Sequence, residues 1–221
     1  RLLSLVHHPL ADETGLSRAA PDRLVALERE ALMACSGVLV TSAFTARRLR
    51  LYGVTADRVR AVSPGTDRHE RAVGPGRSEP PALLCVGSVT PRKGQDVLVR
   101  ALAEVRDLAW TCVCVGRLTS DPAFAGSVQR MIHEARLDDR IQLTGECDAA
   151  ALDRFYHHAS LCVLPSHYEG YGMALAEAVA RGLGVISTTG GAIPDTVPDG
   201  AGVLVPPGDG AALTALLYRA S

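Results

Sequence analysis

The chain has 221 residues, 47% of them hydrophobic and 21% charged, and its 23 basic and 24 acidic side chains leave a net charge of −1. This balance argues against a basic nucleic-acid binder and against an acidic disordered tail, and no apolar run approaches the roughly 20 residues of a membrane-spanning helix. The length predicts about one and a half domains. Because the sequence opens on Arg1 instead of Met, we expect a piece of a longer cytoplasmic protein with reduced, mostly buried cysteines.

The first 67 residues alternate predicted strands with predicted helices, which indicates an incomplete first parallel-sheet domain. A strand that we expect to be buried ends at His7-His8-Pro9, and a polar loop follows over residues 12–18. Thr41-Ser42 supply an N-cap for the second helix, which Gly53 ends. The predicted strands are 2–6, 38–40 and 59–62, and the predicted helices are 22–34 and a segment from Ser42 to about Tyr52.

A change of composition marks residues 68–81, which are rich in Gly, Pro and charge and which we predict to be a linker. The alternation then restarts over 82–221, with continuous apolar strands typical of a sheet covered on both faces. We expect this second domain to be clipped at its end. Its predicted strands are 82–86, 110–115, 141–144, 161–164, 185–187 and 202–205, and its predicted helices are 95–105, 124–136, 149–158, 172–181 and one that begins near 211.

The loop over 165–172 carries the most chemistry. In open parallel sheets, ligands bind beyond the carboxyl ends of the strands, and this loop follows a predicted strand and opens a helix whose free N–H groups suit phosphate. Glu169 and Glu177 are eight positions apart, about 12 Å along a helix, so they can contact the sugar end and the ribose end of one elongated ligand. The alternative is a capping carboxylate at 169 and an exposed helix residue at 177.

Other phosphate motifs are incomplete, and the basic residues are strongly biased. The Gly-x-Gly pairs that begin at Gly170 and Gly182 lack the third glycine of a dinucleotide site, and Lys93 precedes its glycine instead of following one as in a Walker loop. Lys93 is also the only lysine beside 22 arginines. A compact ammonium differs chemically from a guanidinium fork, so Lys93 is either a specific ligand contact or a chance occurrence.

Four segments together resemble the retaining glycosyltransferases of family 4. The run from Glu169 to Gly182, EGYGMALAEAVARG, is similar to the Glu-x7-Glu signature of that family. The other three are similar to its first C-domain loop, its interdomain hinge and its late glycine loop; they are LCVGSVTPRKG at 84–94, VSPGTD at 62–67 and TGGAIPD at 189–195. The resemblance covers about residues 35–210 well and 1–34 loosely, and four motifs in the order of the family make it specific.

The resemblance implies an α/β fold of two facing Rossmann-like domains of the glycosyltransferase B type, of which the N-terminal one is incomplete here. The C-terminal domain would hold a nucleoside-diphosphate sugar, the N-terminal domain would hold an acceptor hydroxyl, and the sugar would be transferred with retention. The residues identify neither the sugar, nor the base, nor the acceptor. Because the first strands and glycine loop of the acceptor half are absent from this sequence, we expect the 221-residue chain to bind donor without turnover.

The resemblance also implies roles for ten residues. Glu177 would hold the ribose hydroxyls, Lys93 would neutralise the diphosphate, and Glu169 would lie by the sugar or the diphosphate. The amides around residues 170–172 would cap the phosphates, and one of two histidines would face the transferred sugar. The expected catalytic residues are His7, His8 and Glu169, and the expected donor-binding residues are Ser88, Arg92, Lys93, Gly170, Tyr171, Gly172 and Glu177.

Three positions depart from the pattern of the family. The family often has Arg where this chain has Ser88, so either Arg92 supplies that charge or the phosphate is held less tightly. Asp195 replaces the usual Glu of the late glycine loop, and Gly184 replaces a usual Pro. No Asp-x-Asp pair occurs in the sequence, so we predict that no metal is needed.

Two other functions stay open at this point. Glu169 could serve as a glycosidase-type nucleophile, or the chain could be a non-catalytic module that binds a nucleotide sugar. A cluster of three arginines, Arg47, Arg48 and Arg50, allows a weak peripheral contact with anionic lipid, although such a cluster also suits a solvated helix face.

Overall fold

The computed structural model describes residues 2–13, 20–76 and 78–220 and shows two parallel sheets, one of three strands and one of six. Of the polar loop predicted over 12–18, residues 14–18 lie outside the described residues. Among the residues that the structure describes, no helix combines the length and the apolarity that crossing a bilayer requires.

The first sheet has the strand order β1-β2-β3, with all pairs parallel. Its elements are β1 (Leu3–Val6), α1 (Ala20–Ala34), β2 (Gly37–Val40), α2 (Ala43–Arg48) and β3 (Val59–Ala61). The Ser42 hydroxyl accepts from the Thr45 N–H and caps α2 as predicted, and a 3-10 turn over Leu49–Tyr52 continues it to Gly53.

The prediction that β1 is buried is wrong for most of the strand. Leu3 and Leu5 are 61% and 59% exposed, and only Val6 at the carboxyl end joins the core of this sheet. β1 pairs on one side alone, with β2. An apolar run predicts a strand, but it does not show which of its faces is covered, and here the face that carries Leu3 and Leu5 is open.

The second sheet has the order β6-β5-β4-β7-β8-β9, again all parallel. Its strands are β4 (Ala82–Val86), β5 (Thr111–Val115), β6 (Ile141–Gly145), β7 (Leu161–Leu164), β8 (Gly184–Thr188) and β9 (Gly202–Val205). Its helices are α3 (Gln95–Glu104), α4 (Pro122–Glu134), α5 (Ala149–His158), α6 (Met173–Ala180), α7 (Ile193–Thr196) and α8 (Gly210–Ala220). The chain runs outward from β4 through β5 to β6 and then returns to β7 on the other side of β4. The loops after β4 and β7 therefore diverge, which opens a crevice at this switch point.

Most predicted elements of this sheet agree with the structure, and the differences have local causes. Helix α4 begins at Pro122, two residues earlier than predicted, because the Asp121 side chain accepts from the Phe124 N–H and Pro122 suits the first helical position. The four-residue helix α7 was not predicted, since it is too short to show a helical period.

The segment between β3 and β4 is irregular, and part of it is hydrogen-bonded to the second unit. The Ala72 N–H donates to the Arg181 carbonyl at 2.9 Å, and the Val73 N–H donates to the His157 carbonyl at 2.8 Å. Part of the predicted linker over 68–81 thus runs along the second unit, while the domain boundaries at 67 and 82 remain a prediction.

Candidate functional site

A cleft of about 610 Å³ lies at the carboxyl ends of the central strands of the second sheet and faces the loops of the first. All ten predicted site residues line it: His7, His8, Ser88, Arg92, Lys93, Glu169, Gly170, Tyr171, Gly172 and Glu177. The structure therefore brings together residues that are up to 170 positions apart in the sequence.

The Glu169 carboxylate is the most enclosed charge in the cleft. Only 5% of the residue is exposed, and its Oε1 lies 2.6 Å from the Lys93 Nζ and 2.6 Å from the Ser166 hydroxyl. A carboxylate removed from water needs such partners, because an unpaired buried charge is strongly unfavourable. Lys93 and Ser166 hold this carboxylate in one orientation.

The loop that carries Lys93 needs its following glycine. A 3-10 turn over Pro91–Lys93 ends at Gly94, which has φ +71°. A Cβ at Gly94 would lie 2.3 Å from the Pro165 carbonyl oxygen, so no side chain fits between the two loops. The Lys-Gly pair thus places the ammonium against the loop that carries Glu169.

Arg92 lies in the same cleft, where its guanidinium is shared among three acceptors. Its Nη1 donates to the Tyr168 carbonyl at 3.0 Å and to Glu169 Oε2 at 3.4 Å, and its Nε donates to Glu13 Oε1 at 2.9 Å. Ser88 also lines the cleft, and its carbonyl accepts from the side-chain amide of the buried Gln95 at 3.1 Å. Arg92 and Ser88 thus line the same cleft, and the compensation of Ser88 by Arg92 stays a prediction.

The N-terminus of α6 forms the floor between the two glutamates. Gly172 precedes the helix with φ +98°. Its carbonyl accepts from the Leu175 and Ala176 N–H groups, and the N–H groups of Met173 and Ala174 have no acceptor within the helix, because no helical carbonyl precedes them. Glu177 is half-buried in the second turn of α6 and lines the same cleft. Next to it, Tyr156 donates to the Ala174 carbonyl at 3.1 Å, and burial raises the pKa of Tyr156 well above its ordinary value.

The first sheet contributes its two histidines from the end of β1. His7 is exposed and His8 is half-buried, and both line the cleft. The His8 Nε2 lies 3.3 Å from Glu13 Oε2. The carbonyl of His7 accepts from the Thr41 hydroxyl at 3.1 Å. Both histidines therefore line the same cleft, from the side of the first sheet.

The first half of the molecule, which holds sheet β1–β3, and the second half, which holds sheet β4–β9, are in close contact at Gly170. A Cβ on Gly170 would lie 2.0 Å from the His7 carbonyl oxygen. The Gly170 carbonyl accepts from the buried hydroxyls of Thr41 at 3.4 Å and Thr45 at 3.3 Å. The sequence prediction missed both threonines. Thr41 directly follows β2, so the rule on strand ends could have found it, whereas nothing local marks Thr45.

Tyr168 makes a second contact between the halves. Its hydroxyl donates to Asp12 Oδ2 at 3.2 Å, and its ring lies 5.8 Å from the Phe44 ring. Arg48 donates through its Nε to the same carboxylate oxygen at 2.9 Å. Burial, followed by the charge of Asp12, raises the pKa of Tyr168 above its ordinary value. Asp12 and Phe44 of the first half therefore hold Tyr168, the residue that directly precedes Glu169.

Two of the three clustered arginines are engaged in ion pairs. Arg48 binds the mostly buried Asp12, and the Arg47 Nη2 lies 3.3 Å from Asp195 Oδ2 across the two halves. Arg47 and Arg48 therefore each have a carboxylate partner within the protein. The peripheral contact with a membrane stays a prediction.

The late glycine loop, residues 189–195, contacts the backbone of Glu169. The Ala192 N–H donates to the Glu169 carbonyl at 2.8 Å, and a Cβ on Gly191 would lie 2.2 Å from the same oxygen.

Across residues 2–13, 20–76 and 78–220, no three His, Cys, Asp or Glu side chains are grouped so that they could hold a metal ion. The cysteines are free thiols, and all but Cys147 are buried.

Comparison with known proteins gives a family and a fold. Residues 80–220 match the family model described as "Glycosyl transferases group 1". The D-inositol 3-phosphate glycosyltransferase of Thermomonospora curvata is 30% identical over 217 residues, which is 87% of this chain and 50% of that protein. The lipopolysaccharide core biosynthesis mannosyltransferase LpcC of Rhizobium leguminosarum is 36% identical over 134 residues, or 59% of this chain and 38% of that protein. The chain thus spans about half the length of the curated relatives or less.

Solved structures agree with the architecture. Sucrose-phosphate synthase of Thermosynechococcus elongatus superposes with a TM-score of 0.84 at 29% identity, over 98% of this chain and 57% of that one. Anabaena Alr3699/HepE, solved with UDP and glucose, superposes with a TM-score of 0.86 at 19% identity, over 99% of this chain and 61% of that one. These likenesses confirm the predicted fold class, an α/β fold of the glycosyltransferase B type.

Proposed function

The chain belongs to the family of glycosyl transferases group 1, and from that membership we propose that it forms the donor side of a retaining glycosyltransferase of family 4. In this proposal the sugar moves from a nucleoside-diphosphate sugar to an acceptor hydroxyl. The observation that carries the proposal is the pairing of Lys93 with the buried Glu169 beside the free N-terminus of α6. That arrangement collects positive charge and N–H donors at one point of the cleft, as a diphosphate requires.

Lys93 can serve Glu169 and a phosphate at the same time. An ammonium has three N–H donors, and the pair with Glu169 uses one of them. The two others, together with the N–H groups at the start of α6 and the guanidinium of Arg92, stabilise the negative charge that develops on the leaving diphosphate. Because the sequence contains no Asp-x-Asp pair, we propose that these groups stabilise that charge without a metal ion.

The remaining residues suit the two ends of a donor. Glu177 lies on α6, eight positions after Glu169, and accepts hydrogen bonds from ribose hydroxyls, while His7 and His8 lie on the sugar side. The Anabaena neighbour was solved with UDP-glucose and with UDP, which supports a nucleotide-sugar donor for a cleft of this fold. Retention follows when the phosphate of the donor removes the acceptor proton on the face that the diphosphate leaves.

Glu169 suits an orienting role better than a nucleophilic one. Its two carboxylate oxygens already accept from Lys93, Ser166 and Arg92. A glycosidase-type nucleophile needs a free oxygen directed at the anomeric carbon, and these three donors compete for that position. We therefore propose that Glu169 fixes the ammonium of Lys93 beside the sugar–phosphate bond.

Calorimetric titration of the chain with UDP, GDP and ADP tests the donor site. We expect saturable binding of at least one of them, and competition by the matching nucleotide sugar. A chain that binds none of them contradicts the proposal. A product assay on the full-length protein then separates an enzyme from a binding module, and the anomeric coupling constant of the product reports retention. Transfer by the 221-residue chain alone would contradict the expectation of binding without turnover.

A further inference from the structure

A row of one histidine and four charged side chains crosses the cleft from one half of the molecule to the other. The His8 Nε2 lies 3.3 Å from Glu13 Oε2, and Glu13 Oε1 lies 2.9 Å from the Arg92 Nε. Arg92 Nη1 lies 3.4 Å from Glu169 Oε2, and Glu169 Oε1 lies 2.6 Å from the Lys93 Nζ. Glu13 is the link between the halves in this row, because His8 belongs to the first half and Arg92 to the second.

The contacts of Arg92 fix the plane of its guanidinium. Its side chain is only 17% exposed, and its partners lie on two edges of the group: Glu13 at Nε, and the Tyr168 carbonyl and Glu169 at Nη1. A guanidinium is planar and presents five N–H donors in fixed directions. Because the contacts at Nε and at Nη1 both fix the plane of the Arg92 guanidinium, they also fix the directions of its remaining N–H donors. Glu13 supplies one of those two edges, and it does so from the opposite wall of the cleft.

The neighbouring Asp12 strengthens this link from the same side. Its carboxylate, only 7% exposed, accepts from the Tyr168 hydroxyl and from Arg48. Tyr168 is also the residue whose carbonyl accepts from Arg92. Glu13 of the first half therefore binds Arg92 directly. The adjacent Asp12 binds Tyr168, whose carbonyl accepts from Arg92.

We propose that Glu13 is a positioning residue that orients Arg92, from across the cleft, toward the diphosphate of the donor. This inference rests on the proposed function. Glu13 does not touch the ligand in this scheme, and it acts only through the direction that it gives to the guanidinium of Arg92. Arg92 then binds phosphate productively only when the two halves are in contact.

A double-mutant cycle tests this role. UDP affinity is measured by calorimetry for the unmodified chain, Glu13→Gln, Arg92→Gln and the double variant, with Glu30→Gln on the exposed face of α1 as the matched control. We expect each single variant of the pair to bind UDP about tenfold more weakly, and the double variant to be no weaker than Arg92→Gln. The control and the parent should bind alike, and a thermal unfolding scan of each variant confirms that it is folded.

Two results would overturn the inference. Losses that multiply to about a hundredfold in the double variant would mean that Glu13 acts independently of Arg92. Unchanged or tighter binding by Glu13→Gln would mean that Glu13 does not position Arg92 or only competes with the phosphate for it.

A ligand-free measurement keeps a failure of this inference distinct from a failure of the proposed function. The Nε–H resonance of Arg92, assigned by its absence in Arg92→Gln, should be protected from solvent exchange in the parent and lost to exchange in Glu13→Gln. If no nucleotide binds the parent, the proposed function fails, and this resonance decides the inference alone. An unprotected Arg92 resonance in the parent overturns the inference even where UDP binds.

Discussion

The two sheets bury their strands differently. In β7 the consecutive residues Cys162, Val163 and Leu164 are each 0% exposed, and because neighbours on a strand point to opposite faces, both faces of the second sheet are covered there. In β1, by contrast, Leu3 and Leu5 are largely exposed. The loops that hold Lys93 and Glu169 therefore follow strands that are covered on both faces, whereas the first half completes the cleft through contacts at its strand ends. One sheet therefore builds the wall of the cleft that carries Lys93 and Glu169, and the other sheet closes the cleft.

The largest expected effect contrasts one leucine from each sheet. Leu164→Ala removes a fully buried side chain from β7, which should lower the free energy of unfolding by about 2–5 kcal/mol. Leu5→Ala makes the same change on the open face of β1, where about 0.5 kcal/mol or less is expected. Urea denaturation of both variants provides the measurement. Similar losses in the two variants would contradict the division between a covered and an open sheet.

The second prediction concerns the charge of Lys93, which the second sheet presents in the cleft. Lys93→Ala should weaken UDP binding by about 1.5–3 kcal/mol, the range for hydrogen bonds to charged groups. Arg100→Ala is the matched control, since Arg100 is a cation on the exposed surface of α3 that pairs with Asp96. Titration calorimetry of both variants measures the effect. Equal UDP affinity for Lys93→Ala and the parent would remove Lys93 from the donor site.

A smaller effect is expected at the ribose end. Glu177→Gln should weaken the binding of UDP and of uridine alike, by about 0.5–1.5 kcal/mol, while Glu134→Gln on the exposed part of α4 should change neither. In the full-length protein, Glu169→Gln should instead slow turnover. The reverse pattern, with uridine affinity sensitive to residue 169 and turnover sensitive to residue 177, would show that the two roles are exchanged.

The smallest effect at neutral pH is expected in the core of the first sheet. The buried Tyr52 hydroxyl has no hydrogen-bond partner within the described part of the chain, and burial, then the charges of Asp12 and Glu28, raise the pKa of Tyr52 from 10.0 to about 12. The folded state keeps this proton above pH 10 while the unfolded state loses it, so stability should fall as pH rises from about 10 to about 12.

Tyr52→Phe tests that alkaline loss. At pH 7 the variant should differ from the parent by less than about 1 kcal/mol, because no hydrogen bond is removed. Thermal unfolding between pH 7 and 11 should show a smaller decline in the variant than in the parent. Identical declines would mean that Tyr52 does not carry the loss.

The sequence predicted the second sheet closely because its signals are local. Continuous apolar strands, caps and glycines fixed helix α5 and strands β4, β7 and β9 to the residue. The rule on strand ends selected the loops that hold nine of the ten predicted site residues, whereas Glu177 on α6 was predicted from its spacing to Glu169. Thr45, Tyr168 and Glu13 escaped prediction because their partners lie across the interface, at separations of 125, 156 and 79 residues. Periodicity reports which face of an element is apolar, but it carries no information on how two sheets meet.

The solitary lysine of the cleft also makes the site chemically addressable. Lys93 carries the only side-chain amine of the sequence, so an amine-reactive reagent has a single side-chain target, and that target lies in the cleft wall with 15% of its side chain exposed. A lysine-specific protease likewise has one internal bond to cut, after Lys93. Slower acylation of Lys93 in the presence of a ligand therefore reports occupancy of the cleft, with the α-amino group as the internal reference for the reagent, whereas cleavage after Lys93 reports opening of the loop.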